Sequence, residues 1–174
     1  MEVTKISPFT KEYLRFVSIA TKTFPMHFPL IILASLRKRA DIIICKIYGR
    51  TIGGFIITDL PLNTFIFRPK IFFSTLKTNA FKKLMSEGYR YLTYVVIDKK
   101  YRRNGYGLKM MREARVKYDI KSYFTPFMDE LQNFYEKSGA TVYKTKDGKT
   151  LDGLKCPVMV FEKYTDQLST NNTI

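Results

Sequence analysis

At 174 residues the chain has the size of one domain and can bury a sizeable core. Its hydrophobic share of 45% excludes wholesale disorder, and its longest apolar run, "FPLIILASL", is far shorter than the roughly 20 residues that cross a bilayer. Thirty Lys and Arg against fifteen Asp and Glu leave a net charge of +15. Such a field favours polyanions (nucleic acid, an anionic membrane surface or a multiply charged cofactor) and repels small cations. The opening "MEVTKISPFTKEY" lacks the charged-then-apolar layout of a signal peptide, and Cys45 and Cys156 stand far apart without a partner motif. The expectation is a cytoplasmic protein with no membrane segment and no metal site.

Taken in chain order, "FTKEYLRFVSIATKTF" places Tyr13, Leu14, Val17, Ala20 and Phe24 on one helical face, and Pro25 ends the helix. A short helix follows in "PLIILASLRKRA". "DIIICKIYGRTIGGFIITDL" reads as a β-hairpin, two β-branched runs around a Gly49–Arg50 turn. "STLKTNAFKKLMSEG" is helical, with Gly88 as its C-terminal cap, and "YRYLTYVVI" is a strand buried over much of its length.

From Gly105 the pattern turns helical, with Leu108, Met111, Ala114 and Tyr118 on one face. The strand "SYFTPF" and a helix from about Pro126 follow, the helix carrying Leu131, Phe134, Tyr135 and Ser138 on one side. "ATVYKT" and "PVMVFEKY" make two last strands, and "TDQLSTNNTI" is a polar tail. This order predicts an α/β (α+β) fold around one mostly central sheet with at least one βαβ crossover. No repeat and no linker divides the chain.

"YRRNGYGLKMM", Tyr101–Met111, sets two arginines ahead of a Gly-x-Gly pair at a helix start. A strand, a glycine loop and a helix N-terminus together present free backbone N–H groups to an anion, and the helix dipole adds attraction. The stretch is not a P-loop, because the Gly-Lys-Ser/Thr ending is absent, and it lacks the third glycine of a dinucleotide fingerprint.

"VVIDKKYRRNGYG" resembles motif A of the GNAT superfamily of acyl-CoA-dependent N-acyltransferases, Arg/Gln-x-x-Gly-x-Gly/Ala after a strand; Arg102, Gly105 and Gly107 match it. "ELQNFYEKSGA" resembles the family's second signature, Phe-Tyr-x-Lys-x-Gly-Phe, through Phe134, Tyr135, Lys137 and Gly139. With the helix pair and hairpin upstream, the resemblance covers nearly the whole chain. It implies the GNAT fold, a single mixed sheet of about six or seven strands with about four or five helices, in one domain over 1–164 with a basic insertion at about 61–88 and a flexible tail at 165–174.

The resemblance also implies acetyl-CoA as co-substrate. Its pyrophosphate would lie on the backbone N–H groups of Arg103, Asn104, Gly105, Tyr106, Gly107 and Leu108, after the motif residue Arg102. Its pantetheine arm would pair like an added strand beside Val95, Val96 and Ile97, and Tyr135 would protonate the departing thiolate. A backbone N–H on the splayed strand would hold the oxyanion. An alkyl amine, with a pKa near ~10.4, must lose a proton before it attacks. For that step Asp59, Asp98 and His27, the only histidine, are candidates, and the base is left unassigned. A monomer or a homodimer is expected.

Three departures stand out. Ala140 replaces the usual Phe after Gly139, Met128 stands where the family often has an Asn contacting CoA, and the insertion carries Arg68, Lys70, Lys77, Lys82 and Lys83 against Glu87 alone. Lys99, Lys100, Arg102, Arg103, Lys109, Arg112 and Arg115 flank the phosphate loop and suit CoA, whereas Arg37–Arg39, the insertion, Lys144, Lys146, Lys149 and Lys155 do not need it. Two functions follow. The first is an N-acetyltransferase attacking acetyl-CoA directly with a primary amine, the acceptor carried on or bound to nucleic acid. The alternative is a catalytically inactive GNAT-fold protein acting as a basic nucleic-acid-binding module.

Overall fold

The β-branched run from Asp41 has no polar face to show water, so it forms a strand buried on both sides. Strand β2, Asp41–Ile47, pairs antiparallel with β3, Arg50–Thr58, and Ile42, Ile43, Ile44, Ile52, Ile56 and Ile57 are all buried. Each such side chain contributes about 1.5–3 kcal/mol by leaving water. The turn is Tyr48–Gly49, one residue earlier than expected; both residues have positive φ (48° and 73°), the handedness that suits the strand twist.

The computed structural model describes residues 1–59, 79–124, 129–143 and 158–162. Within these the remaining strands are β1, Glu2–Ile6; β4, Arg90–Ile97; β5, Ser122–Phe124; β6, Thr141–Val142; and β7, Met159–Phe161. They form one sheet in the order β1-β2-β3-β4-β5-β7-β6, parallel only between β4 and β5. The described helices are α1, Lys11–Thr23; α2, Phe28–Ser35; α3, Asn79–Ser86; α4, Tyr106–Tyr118; and α5, Asp129–Lys137. A mixed seven-stranded sheet with five helices is the fold class read from the sequence.

Strand β1 was not foreseen. It is an edge strand with only Val3 fully buried, and its outer backbone edge is occupied: Tyr118 Oη accepts from the Lys5 N–H at 2.9 Å, and Lys117 Nζ donates to the Val3 carbonyl at 2.9 Å. Its edge is thereby closed to a further strand.

The two faces of the sheet carry different cores. Tyr13, Phe16, Val17 and Ala20 of α1 and Ile31 and Ala34 of α2 pack on Ile42, Ile44, Ile56, Tyr94 and Val96. Met110, Met111 and Ala114 of α4 pack on Ile43, Phe55, Ile57 and Leu92, with Phe134 and Tyr135 of α5 partly buried beside them. Leu14 and Phe24, expected inside, are 59% and 49% exposed. The inward stripe of α1 runs through Phe16 and Ile19 instead. Leu131 likewise lies on the outer side of α5, 39% exposed.

Gly53 and Gly54 set how tightly β3 sits between its neighbours. A Cβ on Gly53 would lie 2.4 Å from the Val96 carbonyl oxygen, and one on Gly54 would lie 2.5 Å from that of Ile43 and 3.1 Å from the Phe16 ring. Helix α3 ends as expected at Gly88, where the N–H groups of Gly88 and Tyr89 donate to the carbonyls of Met85 and Leu84 at 3.1 and 3.0 Å.

Candidate functional site

Two features of β4 open the sheet. Leu92 pairs with Ile57 and Tyr94 with Ile56, so Thr93 is an extra residue, a bulge that turns Leu92, Val95 and Ile97 toward α4 and leaves Tyr94 and Val96 toward α1. On its other side β4 pairs with β5 only at Arg90–Ser122 and Tyr91–Tyr123. Among the described residues, the stretch from Thr93 to Ile97 therefore has ladder partners on the β3 side alone. Among the described residues this is an unpaired strand edge, and the loop after Ile97 leads from it to the start of α4.

The loop between β4 and α4 is built by its own side chains. Asp98 accepts from the Lys100 N–H at 3.1 Å and starts a 3-10 turn over Lys99–Tyr101. Arg102 then folds back, donating from Nε to the Ile97 carbonyl at 2.8 Å and from Nη2 to Thr23 Oγ1 at the end of α1 at 3.0 Å. Asn104 Nδ2 donates to the Arg102 carbonyl at 3.2 Å, and Arg103 and Gly105 take φ of 63° and 73°. Gly105 is the residue before α4, no side chain caps that helix, and its first intrahelical bond runs from the Lys109 N–H to the Gly105 carbonyl. The N–H groups of the first turn thus have no acceptor within the helix. Lys99, Lys100, Arg103 and Lys109 are exposed around them.

The residues singled out in this loop divide into two sorts. Gly105 serves the left-handed backbone that starts the helix. Gly107 serves packing: a Cβ there would lie 3.3 Å from the Phe134 ring and 3.5 Å from Ile97 Cγ1. Arg102 braces the loop between β4 and α1, so its side chain is already engaged at the Ile97 carbonyl, beside the stretch Val95–Ile97 expected to pair with pantetheine. Val95, Ile97, Tyr106 and Leu108 are half-buried and Val96 is buried.

Tyr135 lies where β5 departs from β4. Its ring centroid is 4.1 Å from that of Phe124, the last residue of β5, 5.1 Å from Phe134 and 6.4 Å from Phe161. Burial in this apolar setting pushes its hydroxyl well above the ordinary tyrosine range, and the phenol stays protonated at neutral pH.

The candidate bases fare differently. Asp59 is held by Arg37 through bonds of 3.0 and 2.6 Å, and the guanidinium holds its carboxyl below the usual carboxylate range, which makes it a poor proton acceptor. Asp98 is spent on the 3-10 turn. His27 lies in the 3-10 turn Pro25–His27, stacked on Phe24 with centroids 5.1 Å apart and edge-on to Tyr94 at 5.7 Å, and burial lowers its pKa. Because the folded-state pKa of Asp59 is depressed, its pairing stabilises the fold above the ordinary carboxylate range and is lost as pH falls through the depressed value. Arg37→Ala is expected to cost about 1 kcal/mol or less at neutral pH. Thermal melts near pH 7 and in acid should show that cost disappear in acid.

Of the basic residues outside the loop, Lys82 is exposed and Lys83 lies 3.8 Å from Glu87. Arg68, Lys70, Lys77, Lys144, Lys146, Lys149, Lys155, Cys156 and Met128 lie outside the described residues, as do the start of α5 near Pro126 and the tail. Among the described residues, no group of three His, Cys, Asp or Glu could hold a metal, and no helix is long and apolar enough to cross a membrane.

The fold recurs in solved structures. An aminoglycoside 6′-N-acetyltransferase complexed with coenzyme A matches with a TM-score of 0.57 and 10% identity over 92% of this chain and 96% of that one. Tetrahymena GCN5 matches at 0.60 and 12% identity over 95% and 99%. A GNAT-family acetyltransferase from Bacillus cereus matches at 0.60 and 14% identity over 94% and 98%. No family model and no curated protein sequence matches the chain. The chain has the fold of the GNAT acetyltransferases.

Proposed function

We propose that the protein is an acyl-CoA-dependent N-acyltransferase that moves an acetyl group from acetyl-CoA to a primary amine. The observation that carries this reading is the edge of β4 from Thr93 to Ile97, unpaired on the β5 side among the described residues, with an uncapped helix N-terminus at one end and Tyr135 at the other. The resemblance in motifs and the likeness to acetyltransferase structures support it.

On this reading the first-turn N–H groups of α4 bind the pyrophosphate, and Lys99, Lys100, Arg103 and Lys109 neutralise the phosphates. The peptide groups of Val95 and Val96 align the pantetheine arm, and Arg102 keeps the loop at the strand's end. Tyr135 holds a proton over the sulfur. Because its pKa is raised, it acts as a hydrogen-bond donor that completes transfer only as the C–S bond breaks and the thiolate becomes basic.

The acceptor is an amine carried on or bound to a polyanion such as nucleic acid. The net charge of +15 supports this and disfavours cationic acceptors such as aminoglycosides or polyamines. The test is thiol release from acetyl-CoA in the presence of aminoacyl-tRNA, a free-amine peptide and spermidine. Release with the RNA-linked amine, weakened by salt, supports the whole reading. Release with spermidine alone removes the polyanionic acceptor, and no release with any amine, alongside tight nucleic-acid binding, favours the inactive binding module.

A further inference from the structure

We infer that the groove between α1 and the 3-10 turn after β4 binds a backbone phosphate of the nucleic acid that carries the acceptor amine, an inference that rests on the reaction proposed above. Arg15, Ser18 and Lys22 stand at i, i+3 and i+7, so they form one stripe along α1. Asp98 and Lys99 line the groove from the other element. Its volume is about 260 Å³. That falls below the ~300 Å³ at which pockets for drug-sized ligands begin, and it suits a phosphodiester group.

The lining carries three cations, Arg15, Lys22 and Lys99, against the single carboxylate of Asp98. None of the three has an ion-pair partner among the described residues, and all three are exposed. The walls are nonetheless fixed. Arg15 donates from Nε to the Thr51 carbonyl at 3.2 Å, which holds its guanidinium at the start of β3 and leaves both Nη groups available. Asp98 accepts from the Lys100 N–H at 3.1 Å, and its own N–H donates to the Ile52 carbonyl at 2.8 Å. Thr23 donates to the Ile19 carbonyl and accepts from Arg102, which ties the groove to the phosphate loop.

Helix α1 packs on the sheet face opposite to α4. The groove therefore borders the loop on the α1 side, while the N–H groups proposed for the CoA pyrophosphate belong to α4. One pyrophosphate has no need of both, but a nucleic acid carries a phosphate at every residue and can reach the second. An acidic peptide would call for apolar anchors beside its charges, and the one large apolar residue in the lining, Ile19, is buried. Phosphate contacts fix the position of a nucleic acid without reading its sequence. A transferase that must place a tethered amine needs that fixing.

The test measures binding of deacylated tRNA to the full chain by fluorescence anisotropy across a salt series, with calorimetric titration of acetyl-CoA on the same preparations. The double variant Arg15→Gln with Lys22→Gln is expected to weaken tRNA binding about tenfold and to lower the slope of log K against log salt by roughly one per lost contact. Acetyl-CoA affinity should not change. Unaltered tRNA affinity and slope would overturn the site. Lost acetyl-CoA affinity with tRNA affinity kept would also overturn it, and would put a phosphate of CoA in the groove instead. Should the double variant misfold, Lys22→Gln decides alone, because that side chain makes no hydrogen bond or ion pair among the described residues. Acetyl-CoA binding and thiol release by a chain that binds no tRNA would reject the groove and spare the transferase. A groove-dependent tRNA affinity with no thiol release from acetyl-CoA would reject the transferase and keep the groove.

Discussion

Tyr135→Phe is expected to lower turnover on the order of 100-fold, the usual weight of one positioned acid, while acetyl-CoA binds with unchanged affinity. The ring is retained, so its contacts with Phe124, Phe134 and Phe161 persist and the fold is not disturbed. A hundredfold loss corresponds to about 2.7 kcal/mol of transition-state stabilisation. Stopped-flow thiol release and calorimetry on the same preparation separate the two effects. Equal losses in affinity and turnover would make Tyr135 a packing residue.

Gly53→Ala should damage the fold more than any surface change. The new Cβ would sit 2.4 Å from the Val96 carbonyl oxygen and 2.9 Å from the Ile97 Cα, both backbone atoms of the strand that carries the site. Neither can rotate aside, so β3 and β4 must move apart. The expected cost is about 3 kcal/mol, at the upper end for overpacking, and a fall of roughly 6–12 °C in Tm for a domain of this size. Binding of acetyl-CoA should weaken too, because Val96 and Ile97 lie on the open edge. A variant with wild-type Tm would mean that β3 and β4 move apart at little cost.

The hairpin, β4 and α4 were legible because their patterns are strong: unbroken β-branched runs, and apolar residues at helical spacing after a glycine. Strand β1 was not, since "EVTKI" mixes charged and apolar residues and gains its place by pairing with β2. Leu14 was misplaced because it shares a helical sector with Val17, and only the sheet decides which sector faces inward. The turn slipped by one residue because tyrosine is a rare occupant of positive φ.

At the candidate site, the motifs single out the glycine loop and Tyr135, but the separate tasks of Gly105 and Gly107 were not legible. One glycine answers to its own φ, the other to a ring on a distant helix. The bonds of Arg102 to Ile97 and Thr23 were not legible either, because they join elements far apart in the chain. The consecutive glycines at 53 and 54 were the one available signal of close backbone approach in the strand. The short pairing of β4 with β5 among the described residues was invisible, because it depends on tertiary packing that no local pattern encodes.

The most direct test of the account is a calorimetric titration of acetyl-CoA into the wild-type chain and into Gly105→Ala, at low and at moderate salt. The account predicts micromolar binding that weakens with salt, and at least a tenfold loss in the variant, whose left-handed backbone at φ 73° an alanine resists. No measurable binding to the wild-type chain, or binding indifferent to the glycine, would contradict a phosphate site at the start of α4.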